Sequence, residues 1–207
     1  KEFGRRILTP DSFLSHSTLE CLEGSYVPFW LYDYRARVNY EGKATKVRKF
    51  RTGDYEVTET SHYQVSRKLN IDFDKIPVDA SKRMADDIMD LMEPYEYKAL
   101  LNFEEKYMSG FQSEVVNFSD AEEEIRAKER ATKDAESLLN ETIVGYTTCV
   151  PLHKEINLKK TKAHFALMPV WVYRYQFRGK EYLYHVNGQT GKVIGKTPTD
   201  KHKAWWY

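Results

Sequence analysis

YVPFWLYDY, Tyr26 to Tyr34, and LMPVWVYRY, Leu167 to Tyr175, share the pattern P-x-W-x-Y-x-Y. Trp, Tyr and Tyr recur at every second position, the period of a strand, so they share one face while Phe29 and Leu31, or Val170 and Val172, share the other. Strands apolar on both sides suit the middle of a sheet covered by helices, with Pro28 and Pro169 at strand starts, where a missing N–H costs least. Each stretch continues into a polar Gly-Lys pair, Gly42-Lys43 or Gly179-Lys180, and then another strand-like run. The pattern predicts two related β-hairpins anchored by Trp30 and Trp171.

Working outward, Asp54 to Asp74 is rich in Val, Thr, Tyr and Ile in rough alternation and reads as one long strand or a broken pair. Ser81 to Met92 has apolar residues at helical spacing, stopped by Pro94. Ser119 and Glu122 form a capping box for a long helix to about residue 143, with Ile125, Ala131, Ala135, Leu138 and Leu139 as its packing face. The expected fold is α+β: an antiparallel β core of two related hairpin units with one long and one shorter amphipathic helix. It forms a single domain, with the repeat at about 20–75 and 145–200 and a helical insertion at about 80–143.

The chain has 207 residues, enough to bury a core without disulfides or metals. Its formal charge is +1, from 32 basic and 31 acidic residues, so no global field draws it to nucleic acid or an anionic membrane. Locally the balance differs. Arg35, Arg37, Lys43, Lys46, Arg48, Lys49 and Arg51 face one acid, Glu41, within seventeen residues, with Tyr34, Tyr40 and Phe50 interleaved. As a hairpin this is a cationic patch for a protein partner, anionic headgroups or, less favoured, nucleic acid. The bland reading, set ahead of any partner, is an ordinary solvated surface or pairing with the protein's own acids, such as Asp79, Asp86, Asp87 and Asp90.

Chemistry is sparse elsewhere. HVNGQTGKVIGKTP, His185 to Pro198, resembles a phosphate loop but fails as one. Gly188 and Gly191 enclose two residues where a Walker A loop needs four, Val193 stands where a hydroxyl should, and no helix follows. It reads as a hairpin corner, with Asn187-Gly188 supplying positive φ values and Gly191 a second left-handed position. No helicase or ATPase motif appears, and no bound nucleotide is expected. His16, His62, His153, His164, His185 and His202 show no metal-ligand spacing, and Cys21 and Cys149 form no C-x-x-C pair. Neither an enzyme nor a metal or cofactor in this stretch is expected.

The chain begins at Lys1, and KEFGRRIL reads as the tail of an interrupted helix. No stretch reaches 18 consecutive apolar residues. At the other end Lys201 and Lys203 run into Trp205, Trp206 and Tyr207, as cytoplasmic residues do before a transmembrane helix or as an ordinary C-terminal strand with aromatic cross-strand packing does.

The paired P-x-W-x-Y stretches, DYEVTETSHYQVSRK, KIPVDASKRMADDIMDLMEPYEY and the closing YLYHVNGQTGKVIGKTP together resemble a family of uncharacterised bacterial proteins, mainly Gram-positive. They are often labelled zinc-ribbon-containing or primosomal helicase-like. The resemblance runs from about Phe3 to Trp206. It implies a zinc ribbon before this region and membrane segments after it, and supplies no catalytic or metal residues here. The expected function is a non-catalytic binding or scaffold domain at the cytoplasmic face of a membrane. The alternative is a nucleic-acid-binding accessory protein using the basic hairpin with a separate zinc ribbon.

Overall fold

In the computed structural model, residues 18–82, 86–196 and 198 are described. The strands are β1 (Thr18–Thr52), β2 (Tyr55–Asp79), β3 (Phe111–Ser113), β4 (Thr148–Phe177), β5 (Lys180–Asn187) and β6 (Val193–Gly195). The helices are α1 (Asp86–Met92) and α2 (Asp120–Glu141). The hydrogen-bonded order is β2-β1-β4-β5-β6, with β3 also paired to β1. The α+β class stands. The chain divides into a helix unit, Trp30–Val78 with Ser119–Phe165, and a hairpin unit built from the rest.

In the helix unit, even-numbered positions of β1 turn inward. Tyr32, Tyr34, Ala36, Val38, Tyr40 and Ala44 are buried, while Arg35, Arg37, Glu41 and Lys43 alternate outward. α2 covers the inner face with Ala127, Ala131, Ala135 and Leu139, spaced four apart. Small side chains let the helix backbone approach the sheet, and tyrosine rings fill the space. The Tyr32 hydroxyl donates to the Asp120 carbonyl at 2.8 Å. At the helix N-terminus Ser119 N–H donates to Glu122 Oε2 at 2.8 Å, the expected capping box. At its C-terminus Arg67 donates through Nε and Nη2 to the Thr142 carbonyl, at 3.2 and 3.1 Å.

Two expectations are corrected here. Ile125 and Leu138 are exposed, so the packing face is the alanine stripe and not the bulkier residues. Nor is Gly42-Lys43 a turn. It lies within β1, and the chain reverses at Gly53 instead, where φ is +60°. Gly42 is buried, and a Cβ there would lie 2.6 Å from the Tyr40 hydroxyl. Glycine gives way to a tyrosine two residues along the same face, a packing role that looks like a turn in sequence.

In the hairpin unit the carbonyls of Tyr26 and Pro28 accept from Glu114 N and Ala80 N, each at 2.9 Å. Carbonyls two residues apart point to the same strand edge, so β3 takes over the edge that β2 leaves at Asp79. The strand order here is therefore β3-β1-β4-β5-β6. β4 and β5 form the expected hairpin, pairing from Val170↔Asn187 to Phe177↔Lys180 around Arg178-Gly179, both at positive φ. β5 and β6 are antiparallel neighbours across Asn187–Lys192, so the HVNGQTGK stretch is the hairpin corner.

Neither proline opens its strand. Pro28 lies opposite the end of β2 and Pro169 opposite the end of β5, where its carbonyl accepts from Gly188 N at 2.8 Å. The missing N–H thus faces a place where the neighbouring strand has just stopped. Gly188 is not at positive φ; a Cβ there would meet Pro169 Cβ at 2.7 Å, so glycine serves close approach. Gly191 does take the expected left-handed conformation, at φ +72°. The two P-x-W-x-Y stretches differ in setting. Trp30 packs edge-on to Phe165, Trp171 edge-on to Phe111, and only the second stretch leads into a Gly-Lys hairpin turn.

One face of this sheet buries Val27, Phe29, Met168, Val170 and Asn187, with Met89 and Met92 of α1 and Tyr95 buried alongside. α1 packs on β5 and β6, and the Tyr95 ring meets Phe29 edge-on at 5.9 Å.

Candidate anion-binding face

The basic run forms one strand, not a hairpin, and its alternation sorts the side chains. Arg35, Arg37, Lys43, Lys49 and Arg51 fall on the parity facing away from α2, and Lys46 and Arg48 on the other; all seven are exposed. Beyond Ala44 both parities are exposed, so the last turnless stretch of β1 presents cations on either side.

Internal pairing takes up little of this charge. Arg35 Nε bonds Asp72 Oδ1 at 2.9 Å. Arg37, Lys43, Lys46, Arg48, Lys49 and Arg51 make no ion pair with a described residue. The acids of α2 are engaged elsewhere: Asp120 and Glu124 hold Lys160, at 3.1 and 2.6 Å, and Glu124 also holds Lys128. Hydrogen bonds from Lys128 and Lys160 hold the Glu124 carboxyl below the usual carboxylate range.

The interleaved aromatics separate. Tyr34 and Tyr40 are buried on the helix side, and burial raises both phenols, Tyr34 further through Glu124. Tyr40 bonds Cys149 Sγ at 3.2 Å, and that bond with burial pushes its phenol up to about 12. Phe50 stays exposed, with the Arg48 guanidinium 5.5 Å from its ring centre, and Val47 is exposed nearby in the strand. Lys201, Lys203, Trp205, Trp206 and Tyr207 lie outside the described residues. Among the described residues no helix is long and apolar enough to cross a membrane, and no three His, Cys, Asp or Glu side chains cluster as metal ligands.

A second polar arrangement, in the hairpin unit, escaped the sequence reading. Beyond the core under α1 the same sheet face opens into a cavity of about 130 Å³. Ser25 and Glu23 line it from β1, Arg174 and Val172 from β4, His185 from β5, and Glu114 from just past β3. Its signal was present in the strand period: Ser25 shares a face with Val27 and Phe29, His185 with Asn187, and Arg174 with Val170, so polar groups stand at inward positions.

The chain is similar to the uncharacterized protein YdjG of Bacillus subtilis (strain 168). They are 39% identical over 202 residues, covering 97% of this chain and 59% of YdjG. No family model matches the chain, and no solved structure matches it. The chain thus spans under two thirds of the relative it resembles.

Proposed function

We propose that this chain is a non-catalytic binding domain that holds an anionic lipid surface through β1, at the cytoplasmic face of a membrane, within a longer membrane-anchored protein. The observation that carries the reading is that four cations on one face of β1, Arg37, Lys43, Lys49 and Arg51, and two on the other, Lys46 and Arg48, have no ion-pair partner among the described residues. Charges already paired would have to be released before binding; these need not be. Val47, on the face of Arg37, Lys43, Lys49 and Arg51, adds an exposed apolar side chain that gains by entering the headgroup layer beside them. Nucleic acid is the less favoured partner because two of the three interleaved rings, Tyr34 and Tyr40, are buried and unavailable for base stacking.

The test is cosedimentation with phosphatidylserine-containing vesicles against pure phosphatidylcholine vesicles. Each basic side chain near the surface contributes roughly 1 kcal/mol. Reversing Arg37, Lys43, Lys49 and Arg51 to Glu should therefore weaken binding about a thousandfold or more. Added salt should weaken the wild-type complex. A wild-type protein indifferent to phosphatidylserine overturns the reading, and a salt-sensitive complex with single-stranded DNA, lost in the same variant, favours the accessory-protein alternative.

A further inference from the structure

The hairpin-unit cavity is a built polar site, separate from the cationic strand. Its central observation is His185, 7% exposed, whose imidazole makes no hydrogen bond with a described residue. Ser25, on β1, lines the same cavity, is 6% exposed, and its hydroxyl is also without a partner. Buried polar side chains are nearly always satisfied, by protein, water or ligand. Ser25 Oγ of β1 and Arg174 Nε of β4 are both buried without a hydrogen-bond partner, and two such atoms from different strands on one cavity mark a place where a ligand's polar atoms complete the network.

The charges are ordered across the strands. Glu114 and Glu23 stand at the β3-β1 end, Arg174 and His185 at the β4-β5 end, where Val172 lies opposite His185. Arg174 Nε lies 3.5 Å from Glu181 Oε2 and has no hydrogen bond, so it can still donate. Burial holds the His185 imidazole below its ordinary pKa, so near neutrality it meets a ligand uncharged, as donor or acceptor. One Glu114 oxygen accepts from Ser81 Oγ at 2.8 Å, which fixes the carboxyl at the cavity wall.

A ligand matching this order carries a positive group at one end and a negative group at the other. We propose that the cavity binds a small zwitterion of the α-amino-acid class, its ammonium at Glu23 and Glu114 and its carboxylate at Arg174 and His185, with Ser25 Oγ as a further hydrogen-bond partner. A cavity of about 130 Å³ suits a ligand of small size.

The experiment titrates the folded protein with glycine, alanine and serine, reading the His185 ring resonances by NMR and the melting temperature. Acetate and ethylamine, each carrying one of the two charges, and glycerol, carrying neither, are the controls. At least one amino acid should shift the His185 signals saturably and raise the melting temperature, while the controls bind at least tenfold more weakly. Glu114→Gln and Arg174→Gln should each weaken binding about tenfold or more, the usual cost of one charged hydrogen bond. Ser25→Ala, which removes only the unpartnered hydroxyl, keeps the test open if either variant fails to fold. No response to any amino acid overturns the proposal, as does binding of glycerol or acetate as tight as that of an amino acid. Because the readout is His185, the outcome is independent of vesicle binding by β1.

Discussion

Asn187 concentrates the hairpin unit's polar accounting in one side chain. It is fully buried, its Nδ2 donates to the Met92 carbonyl at 3.0 Å and at 3.4 Å to that of Pro94, and its Oδ1 accepts from Gln189 N and Thr190 N, each at 2.9 Å. The same corner holds the segment after α1 twice more, through Glu96 N to Gln189 Oε1 at 2.9 Å and Lys192 Nζ to the Glu93 carbonyl. Asn187→Ala removes all four side-chain bonds. The Gln189 and Thr190 amides lie at an exposed turn and recover water, whereas Met92 is completely buried and its carbonyl loses a donor with no solvent to replace it. With about 1–3 kcal/mol for the stranded carbonyl and about 0.5 kcal/mol for each recovered amide, the cost is about 2–4 kcal/mol. For a chain of this length that lowers the melting temperature by about 5–15 °C, read by circular dichroism.

Asn187→Asp separates this account from general disruption. It keeps the Oδ1 acceptor for both amides but turns an oxygen toward two carbonyls, in a place with no water. At pH 8 it should therefore be less stable than Asn187→Ala. Burial and the facing carbonyls raise the folded pKa of the new carboxyl above about 3.9, its unfolded value, so the folded state binds more protons between the two. Stability of this variant relative to wild type should thus rise as pH falls through that window, when a protonated carboxyl can donate to Met92. Asn187→Ala within about 0.5 kcal/mol of wild type, or Asn187→Asp equal to wild type at every pH, would refute the reasoning.

Ala131→Leu forces three extra carbons into the fully buried contact of α2 with its sheet and should cost about 1–3 kcal/mol or more in urea denaturation, whereas Ile125→Ala, at an exposed position, should cost under about 0.5 kcal/mol. Tyr32→Phe removes the bond to the Asp120 carbonyl and should cost about 1 kcal/mol in the same assay. Cys149→Ala should bring the Tyr40 phenol down from about 12 toward 10 in an ultraviolet titration. Since the folded pKa of Tyr40 is raised, its contribution to stability is complete below pH 10 and is lost as pH rises through that window. The depressed His185 pKa acts oppositely. Stability should fall as pH drops below about 6.5, and His185→Gln should remove that component of the slope.

The elements most legible in sequence were those set by local chemistry. The Ser119 capping box, the turn at Gly179 and the hairpin corner at Asn187–Gly191 depend on side chains and backbone angles within a few residues, and each formed where it was predicted, although of the corner's expected positive φ values only that of Gly191 is present. What misled were residues whose reason lies across a gap. Gly42 and Gly188 read as turn glycines because glycine is commonest in turns, yet neither is at positive φ; one yields space to the Tyr40 ring and the other to Pro169. Ile125 and Leu138 outweighed the alanines in a hydrophobic count, but a helix lying close over tyrosines is selected for small residues, not greasy ones. The basic run was read correctly in composition and wrongly in shape, which matters for binding: a hairpin would gather its cations, whereas a continuous strand splits them between two faces. The cavity failed to register for a related reason. Period-two reading looks for apolar residues on the inward face and treats Ser25, Arg174 and His185 as noise at its edge. A polar residue in phase with a buried stripe is a stronger pointer to a site than a run of exposed charge, because the fold must bear its desolvation whether or not a ligand arrives.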